Sequence, residues 1–125
     1  MTKKHLIEKA KEVSKKAYTP YSNYKVGAAL LMKSGKVYTG CNIENSSYGL
    51  TNCAERTAVF KAVSEGEMEF EEMVIYADSP HLPTPCGACR QVLSEFGSKL
   101  KITIISNKEQ LETSISELLP LAFKL

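Results

Sequence analysis

The chain has 125 residues, of which 43% are hydrophobic and 24% charged, and its formal net charge is +2. A chain of this length buries only about two-thirds of its unfolded surface, so residues 1–125 are expected to form one domain. The small, scattered charge gives no support for a basic surface that binds nucleic acid or membranes, and no apolar stretch approaches the roughly 20 residues that span a bilayer. We expect a cytoplasmic protein, whose four cysteines are thiols or metal ligands rather than disulfides.

The predicted secondary structure alternates helices and strands. Helical spacing of apolar residues, an N-cap at Thr2 and a stop at Gly66 delimit the first two helices. A Lys-Ser-Gly-Lys turn between two apolar runs predicts a β-hairpin. Gly97 ends a third helix, and Ser-Ile-Ser-Glu shortly before Pro120 is a capping box for a short fourth one. In chain order the predicted elements are helix 2–18, strands 26–32 and 37–41, helix 53–65, strand 73–77, helix 86–96, strands 100–105 and 109–112, and a short helix after residue 114.

This order of elements predicts an α/β fold. Helical crossovers between central strands make neighbouring strands parallel and cover both faces of the sheet with helices. We therefore expect a three-layer α/β/α architecture with a mixed sheet of about five strands. Two segments have no evident place in that scaffold. The first, 18–24, carries three tyrosines that either cover the core or line a ligand site, and the second, 121–125, is an apolar tail.

Two short packets, Asn-Cys-Ala-Glu-Arg-Thr and Pro-Cys-Gly-Ala-Cys-Arg, carry the chemistry of the chain. They supply three thiols, at Cys53, Cys86 and Cys89. Each packet begins a predicted helix, so the positive ends of two helices can converge on the thiolates. A catalytic zinc site needs three protein ligands, one open position and one acid, and Glu55 follows Cys53 closely enough to be that acid.

The cysteine spacing alone leaves other interpretations open, because structural zinc sites and redox dithiols also use Cys-X-X-Cys. Cys41, at the end of a predicted strand, is either a small buried hydrophobe or a fourth ligand that would make the zinc purely structural. Arg56 and Arg90 adjoin the thiols, where a guanidinium can offset their negative charge, although Arg90 fits the surface equally well. His5 and His81 have no partner at ligand spacing.

The two packets, together with Tyr-Ser-Asn-Tyr-Lys-Val-Gly-Ala-Ala-Leu and Gly-Cys-Asn-Ile-Glu-Asn upstream, closely resemble the small homotetrameric cytidine deaminases. The resemblance implies that Cys53, Cys86 and Cys89 hold one zinc ion per chain, which supplies a hydroxide at neutral pH. It also implies that Glu55 shuttles the proton of the water to N3 and then to the leaving amine. Cytidine and 2′-deoxycytidine would become uridine and 2′-deoxyuridine, with release of ammonia. Arg56 would offset the charge of the thiolates.

The same resemblance implies a set of substrate contacts. Asn42 and Glu44 would bond the ribose 3′-hydroxyl, and the backbone N–H of Ala54 would donate to the pyrimidine O2. Tyr24 stands where relatives commonly have phenylalanine and would pack against the base. Phe123 matches an aromatic residue that relatives insert into a neighbouring subunit's site, which implies a homotetramer with shared sites. Further contacts from the polar loop are expected from Ser46 and Tyr48.

Cytidine deamination in pyrimidine salvage is the favoured function, and three others fit parts of the sequence. A deaminase of a blasticidin-type nucleoside antibiotic shares the two packets, but the ribose-type pair Asn42 and Glu44 argues against it. Deamination within nucleic acid would require a basic groove, which the scattered charge does not suggest. A structural-zinc interaction module would use Cys41 as its fourth ligand.

Overall fold

The computed structural model describes residues 1–125, which form four α-helices and five β-strands. The predicted N-cap at Thr2 is confirmed, because its hydroxyl accepts a hydrogen bond from the backbone N–H of His5 at 3.2 Å. None of the helices combines the length and apolar character that a membrane-spanning helix needs. The elements are α1 (Lys3–Ser14), β1 (Val26–Met32), β2 (Val37–Cys41), α2 (Ala54–Ser64), β3 (Phe70–Ala77), α3 (Gly87–Phe96), β4 (Lys101–Ile105), β5 (Gln110–Ser114) and α4 (Ile115–Leu118).

The five strands form one mixed sheet in the order β2-β1-β3-β4-β5. Only β3 and β4 pair in parallel, and the other three neighbouring pairs are antiparallel. A parallel pair needs a crossover between its strands, and α3 supplies it. The predicted mixed, five-stranded α/β sheet is therefore confirmed.

Helices cover both faces of this sheet, as the three-layer prediction requires. On one face Leu6 and Ala10 of α1 pack against Ala29 and Val74 of the central strands. On the other face α2, α3 and α4 bury apolar side chains against β1, β3 and β4. The residues that these three helices contribute to the larger core are Ala54, Ala58, Val59, Ala62, Leu93 and Ile115.

The first helix is shorter than the sequence pattern predicts. It ends at Ser14 rather than near Tyr18, and the Ser14 hydroxyl donates to the carbonyl oxygen of Lys11 at 2.6 Å. Tyr18 instead pairs with Ile43 in an isolated bridge. This long-range pairing ends the helix early and brings the tyrosine-rich segment against the polar loop, which contains a 3₁₀ turn at Tyr48–Leu50.

Two strands differ from the predictions by two residues or more at one end, and β4 begins one residue later than predicted, at Lys101. β3 begins at Phe70 rather than Met73, because Phe70 pairs with Met32 across an irregularity in the register of β1. β5 occupies Gln110–Ser114 rather than 109–112, because its whole length pairs with β4. Both differences arise from pairing with a neighbouring strand. A local sequence pattern contains no information about that partner strand.

Gly40 in β2 sets how closely α2 approaches the sheet. A Cβ at this position would lie 2.6 Å from the carbonyl oxygen of Ala54 and 2.5 Å from the nitrogen of Ala58. Real Cβ atoms do not come so close to backbone atoms, so any side chain at residue 40 would push α2 away. The first turn of α2 carries Glu55, and Gly40 therefore determines the depth of the candidate site.

Candidate active site

Three cysteine thiols meet between the beginnings of α2 and α3. Cys53 is the N-cap of α2 and Cys86 is the N-cap of α3, and neither side chain caps its own helix. Cys86 Sγ lies 3.8 Å from Cys53 Sγ and 3.6 Å from Cys89 Sγ. All three sulfur atoms lie within 4.8 Å of one another. The fold thus brings the two cysteine packets together, with both helix N-termini directed at them.

The spacing of the sulfur atoms suits a tetrahedral zinc ion. A Zn–S bond of about 2.3 Å corresponds to a tetrahedral edge of about 3.8 Å, close to the observed sulfur separations of 3.6 and 3.8 Å. Thiolate sulfur is also a donor that zinc accepts and magnesium or calcium does not. Cys41 does not belong to the group of converging ligand atoms. The cluster therefore has three ligands and one open position, and the four-cysteine structural site is not formed.

Arg56 supplies positive charge to the cluster. Its Nη2 donates to Cys53 Sγ at 3.4 Å and to the carbonyl oxygen of Thr51 at 3.5 Å. Hydrogen bonds from the Cys89 thiol and from Arg56 hold the pKa of Cys53 well below its usual value. The Nε of Arg56 is buried without a hydrogen-bond partner. The negative charge of the sulfur cluster offsets the free-energy cost of removing this guanidinium from water.

Glu55 is the carboxyl group beside the cluster. It is the second residue of α2, and its side chain is only 4% exposed. Burial, together with the negative charge of Cys53, raises its pKa to about 7. A carboxyl group with this pKa takes up and releases protons near neutral pH. Glu55 is therefore suited to acid and base catalysis.

A cavity of about 180 Å³ opens over Glu55. Five of the site residues predicted from the sequence line it, and they come from three separate segments of the chain. Thr51, Pro83 and Thr84 also line the cavity but are not among the site residues predicted from the sequence. Each lies within three residues of a cysteine in the cluster, and this proximity is the feature of the sequence that could have indicated them. The lining residues are Tyr24, Val26, Asn42, Thr51, Cys53, Ala54, Glu55, Pro83 and Thr84.

Asn42 organises one wall of this cavity. Its Oδ1 accepts from the backbone N–H of Val26 at 2.9 Å, and its Nδ2 donates to the carbonyl oxygen of Tyr24 at 2.8 Å. These two bonds fix the backbone on both sides of Lys25 and so position the Tyr24 ring. A primary amide has two N–H groups and two oxygen lone pairs, so Asn42 keeps one of each for a ligand.

A second cavity, of about 250 Å³, adjoins the first and shares Thr51 with it. The Glu44 carboxylate here accepts from the Ser22 hydroxyl and from the backbone N–H groups of Tyr21 and Ser22, at 3.0 and 3.2 Å. These bonds, the hydroxyl first, lower the pKa of Glu44. Ser46 does not line this cavity, but its hydroxyl lies 2.5 Å from that of Tyr21, which does. The lining residues are Tyr21, Ser22, Glu44, Tyr48 and Thr51.

Phe123, a predicted substrate contact, lines neither cavity of its own chain. Its side chain is 71% exposed, and Leu121 and Leu125 beside it are fully exposed. Tyr48, which lines the second cavity, and Leu50, two residues further along, are also largely exposed. The structure therefore leaves two apolar surfaces uncovered, one on the tail and one beside the site.

Residues 1–105 match the cytidine and deoxycytidylate deaminase zinc-binding region. The chain belongs to the cytidine and deoxycytidylate deaminase family. The matched region contains Cys53, Cys86 and Cys89, whose geometry fits one zinc ion per chain. The chain is accordingly a zinc-dependent hydrolytic enzyme of this deaminase family.

Individual deaminases show how far the similarity extends. A cytidine deaminase of Halalkalibacterium halodurans is 50% identical, over 98% of this chain and 95% of that protein. A crystal structure of cytidine deaminase from Burkholderia pseudomallei has a TM-score of 0.94 and 49% identity, covering 98% of this chain and 100% of that one. A blasticidin-S deaminase of Bacillus cereus is 32% identical, over 94% of this chain and 89% of that protein. The antibiotic-deaminase alternative is therefore not favoured.

Proposed function

We propose that this deaminase hydrolyses cytidine and 2′-deoxycytidine to uridine and 2′-deoxyuridine, with release of ammonia. One observation carries the proposal: a buried carboxyl group, Glu55, lies beside three convergent thiols at the floor of a cavity. We propose further that residues 1–125 act as a single domain, in pyrimidine salvage in the cytoplasm, where the thiols stay reduced.

Glu55 performs the proton transfers in this proposal. Zinc held by the three cysteines would make a water molecule nucleophilic near neutral pH. As water attacks C4 of the base, the Glu55 carboxylate accepts one proton from it and delivers this proton to N3. It then moves the second proton of the water to the exocyclic amine, which leaves as ammonia. Burial keeps bulk water away from Glu55, and its pKa of about 7 suits both directions of transfer.

The two adjoining cavities suit the two parts of a nucleoside. The smaller one, over Glu55, takes the flat pyrimidine against the Tyr24 ring. The backbone N–H of Ala54 is free to donate to O2 of the pyrimidine, because the first N–H groups of a helix have no partner within it. The larger one takes the ribose. Its 3′-hydroxyl would meet the spare N–H of Asn42 and the carboxylate of Glu44, with Ser46 and Tyr48 beside it.

Arg56 has a different role from the residues that touch the substrate. Three thiolates on Zn²⁺ carry a net negative charge, and the Nη2 of Arg56 already donates to Cys53. With zinc bound, this bond would draw electron density from the sulfur and so keep the metal electrophilic. Arg56 is therefore proposed as the charge-compensating residue.

We propose a homotetramer in which Phe123 of one subunit completes the site of its neighbour. Two observations support it: each cavity is smaller than the roughly 300 Å³ at which ligand sites begin, and the apolar tail is exposed. Phe123→Ala is expected to raise the KM for cytidine about tenfold through loss of stacking on the base, with zinc content unchanged. Phe60→Ala, which removes another exposed phenylalanine, is the control. A monomer by sedimentation with an unchanged KM would refute the shared site.

An absorbance assay tests the proposed function directly. Cytidine, 2′-deoxycytidine, blasticidin S and a cytosine-containing single-stranded oligonucleotide are compared, with and without a zinc chelator. We expect kcat/KM for the two nucleosides to exceed the other two values by more than about a hundredfold, because a site that bonds ribose hydroxyls rejects ligands lacking them. Chelation should abolish the activity. Preference for blasticidin S would identify an antibiotic deaminase, and zinc binding without any deamination would identify an interaction module.

A further inference from the structure

Arg90, on α3 next to Cys89, joins two distant parts of the chain. Its Nε donates to the carbonyl oxygen of Pro85 at 2.8 Å, and its Nη1 donates to the carbonyl oxygen of Leu118 at 2.8 Å. Both bonds have a charged donor and are correspondingly strong. Pro85 directly precedes Cys86, whereas Leu118 is the last residue of α4. One guanidinium therefore connects the turn that carries a cysteine of the cluster to the last helix of the chain.

The backbone that leads into Cys86 makes few hydrogen bonds, although its prolines fix φ at three positions. The loop at residues 78–85 contains three prolines, which have no N–H to donate, and Cys86 does not cap α3 with its own side chain. Cys86 is also the exposed cysteine of the three, while Cys89 is fully buried. Packing alone thus leaves Cys86 the least fixed of the three thiols. The bond from Arg90 to Pro85 holds the peptide immediately before it.

The bond to Leu118 has an equivalent effect at the end of α4. The last carbonyl groups of a helix have no partner within it, and the guanidinium satisfies this one. The chain then reverses at Leu121, which has a positive φ of 58°, and continues as the exposed tail. Lys124 Nζ donates to the carbonyl oxygen of Glu95 at 3.4 Å, near the other end of α3. The last part of the chain is therefore bonded to α3 at two points, Leu118 before the tail and Lys124 within it.

We propose that Arg90 is a positioning residue that couples the metal-binding turn at Cys86 to the end of α4, where the tail begins. The inference rests on the proposed function only in taking the three cysteines as zinc ligands. Arg90 differs from Arg56, because it bonds two backbone carbonyl groups and no sulfur. A lysine cannot replace it, because one ammonium group is a single donor point, whereas a guanidinium presents a planar fork that reaches both carbonyl groups.

The test compares zinc-loaded Arg90→Ala and Arg90→Lys with wild type and with Gln91→Ala, a change at the exposed next residue of α3. Zinc release is followed with a chromogenic chelator, and α4 is followed through hydrogen exchange of the Leu119 amide, which bonds the Ile115 carbonyl oxygen at 2.8 Å. Both arginine variants should release zinc about tenfold faster or more, the effect of losing a support behind a metal ligand. Exchange at Leu119 should accelerate in parallel, and Gln91→Ala should behave as wild type.

Three outcomes would overturn the inference. Wild-type release by Arg90→Lys would mean that charge alone matters and not the two-point bond. A lower Tm of Arg90→Ala with unchanged zinc release would leave Arg90 a purely structural role. Faster zinc release with unchanged hydrogen exchange at Leu119 would show that Arg90 does not couple the turn at Cys86 to α4. None of these measurements uses a nucleoside, so a failure to deaminate cytidine would refute the proposed function and leave this test valid. If Arg90→Ala does not fold, the comparison of Arg90→Lys with wild type tests the proposal on its own.

Discussion

Replacing Glu55 by glutamine is expected to abolish deamination while one zinc ion per chain stays bound. The loss in kcat should reach about 10⁴-fold, the upper end for general acid and base catalysis, because one carboxylate serves both proton transfers. Glutamine has nearly the same shape as glutamate but cannot accept a proton near neutral pH. The metal should remain, because the three thiols that fit it are untouched.

The stability of this variant separates chemistry from folding. Glu55 is 4% exposed, and burying a neutral amide costs less free energy than burying a carboxylate. The Tm of Glu55→Gln should therefore equal or exceed that of wild type, so the lost activity cannot be ascribed to unfolding. Glu65→Gln, at the exposed C-cap of the same helix, is the matched control and should keep full activity. Full activity in Glu55→Gln would refute the role of Glu55 in proton transfer. Loss of zinc from this variant would indicate that Glu55 is a metal ligand.

The sequence predicts those parts of the fold that depend on local interactions. The hairpin strands Val26–Met32 and Val37–Cys41 have the predicted bounds, because a hairpin is determined by two neighbouring apolar runs and the turn between them. The capping box before α4 also forms, since the Ser114 hydroxyl accepts from the backbone N–H of Glu117 at 3.4 Å. Gly66 follows α2 with a φ of +88°, which favours glycine.

The boundaries that were wrong depend on partners far away in sequence. Nothing within residues 2–18 shows that Tyr18 will pair with Ile43, and that bridge is what replaces the last turn of α1. Likewise, Phe70 joins β3 because it finds Met32. A window of neighbouring residues contains neither partner, so periodicity extends the helix too far and begins the strand too late.

The candidate site likewise has features that the sequence predicts and features that it does not. The cysteine packets are visible in the sequence because a metal ligand set and its acid have distinctive residue types and spacings. The shape of the site is not visible, because it depends on backbone contacts between segments. Gly40 looks like an ordinary strand residue until the first turn of α2 is placed against it. Asn42 looks like a sugar ligand alone, yet it also holds the backbone around Tyr24.

Removing the Cys89 thiol is expected to release the zinc and abolish activity, whereas removing the Cys41 thiol should do neither. Cys89 is fully buried, with its sulfur 3.6 Å from that of Cys86. Alanine leaves no donor atom in its place, and two thiols complete too little of a tetrahedral zinc shell. Cys41 lies at the end of β2, where burial raises the pKa of its thiol, and it is not part of the cluster.

Zinc content after dialysis and Tm should separate the two cysteine variants. Cys89→Ala should lose its metal and unfold at a lower temperature, because a ligand that binds only the folded state stabilises that state. Cys41→Ala should keep one zinc per chain, full activity and a stability within about 1 kcal/mol of wild type, since it removes a single half-buried sulfur. Loss of zinc from Cys41→Ala would restore the four-cysteine structural site. Full zinc in Cys89→Ala would remove Cys89 from the proposed ligand set.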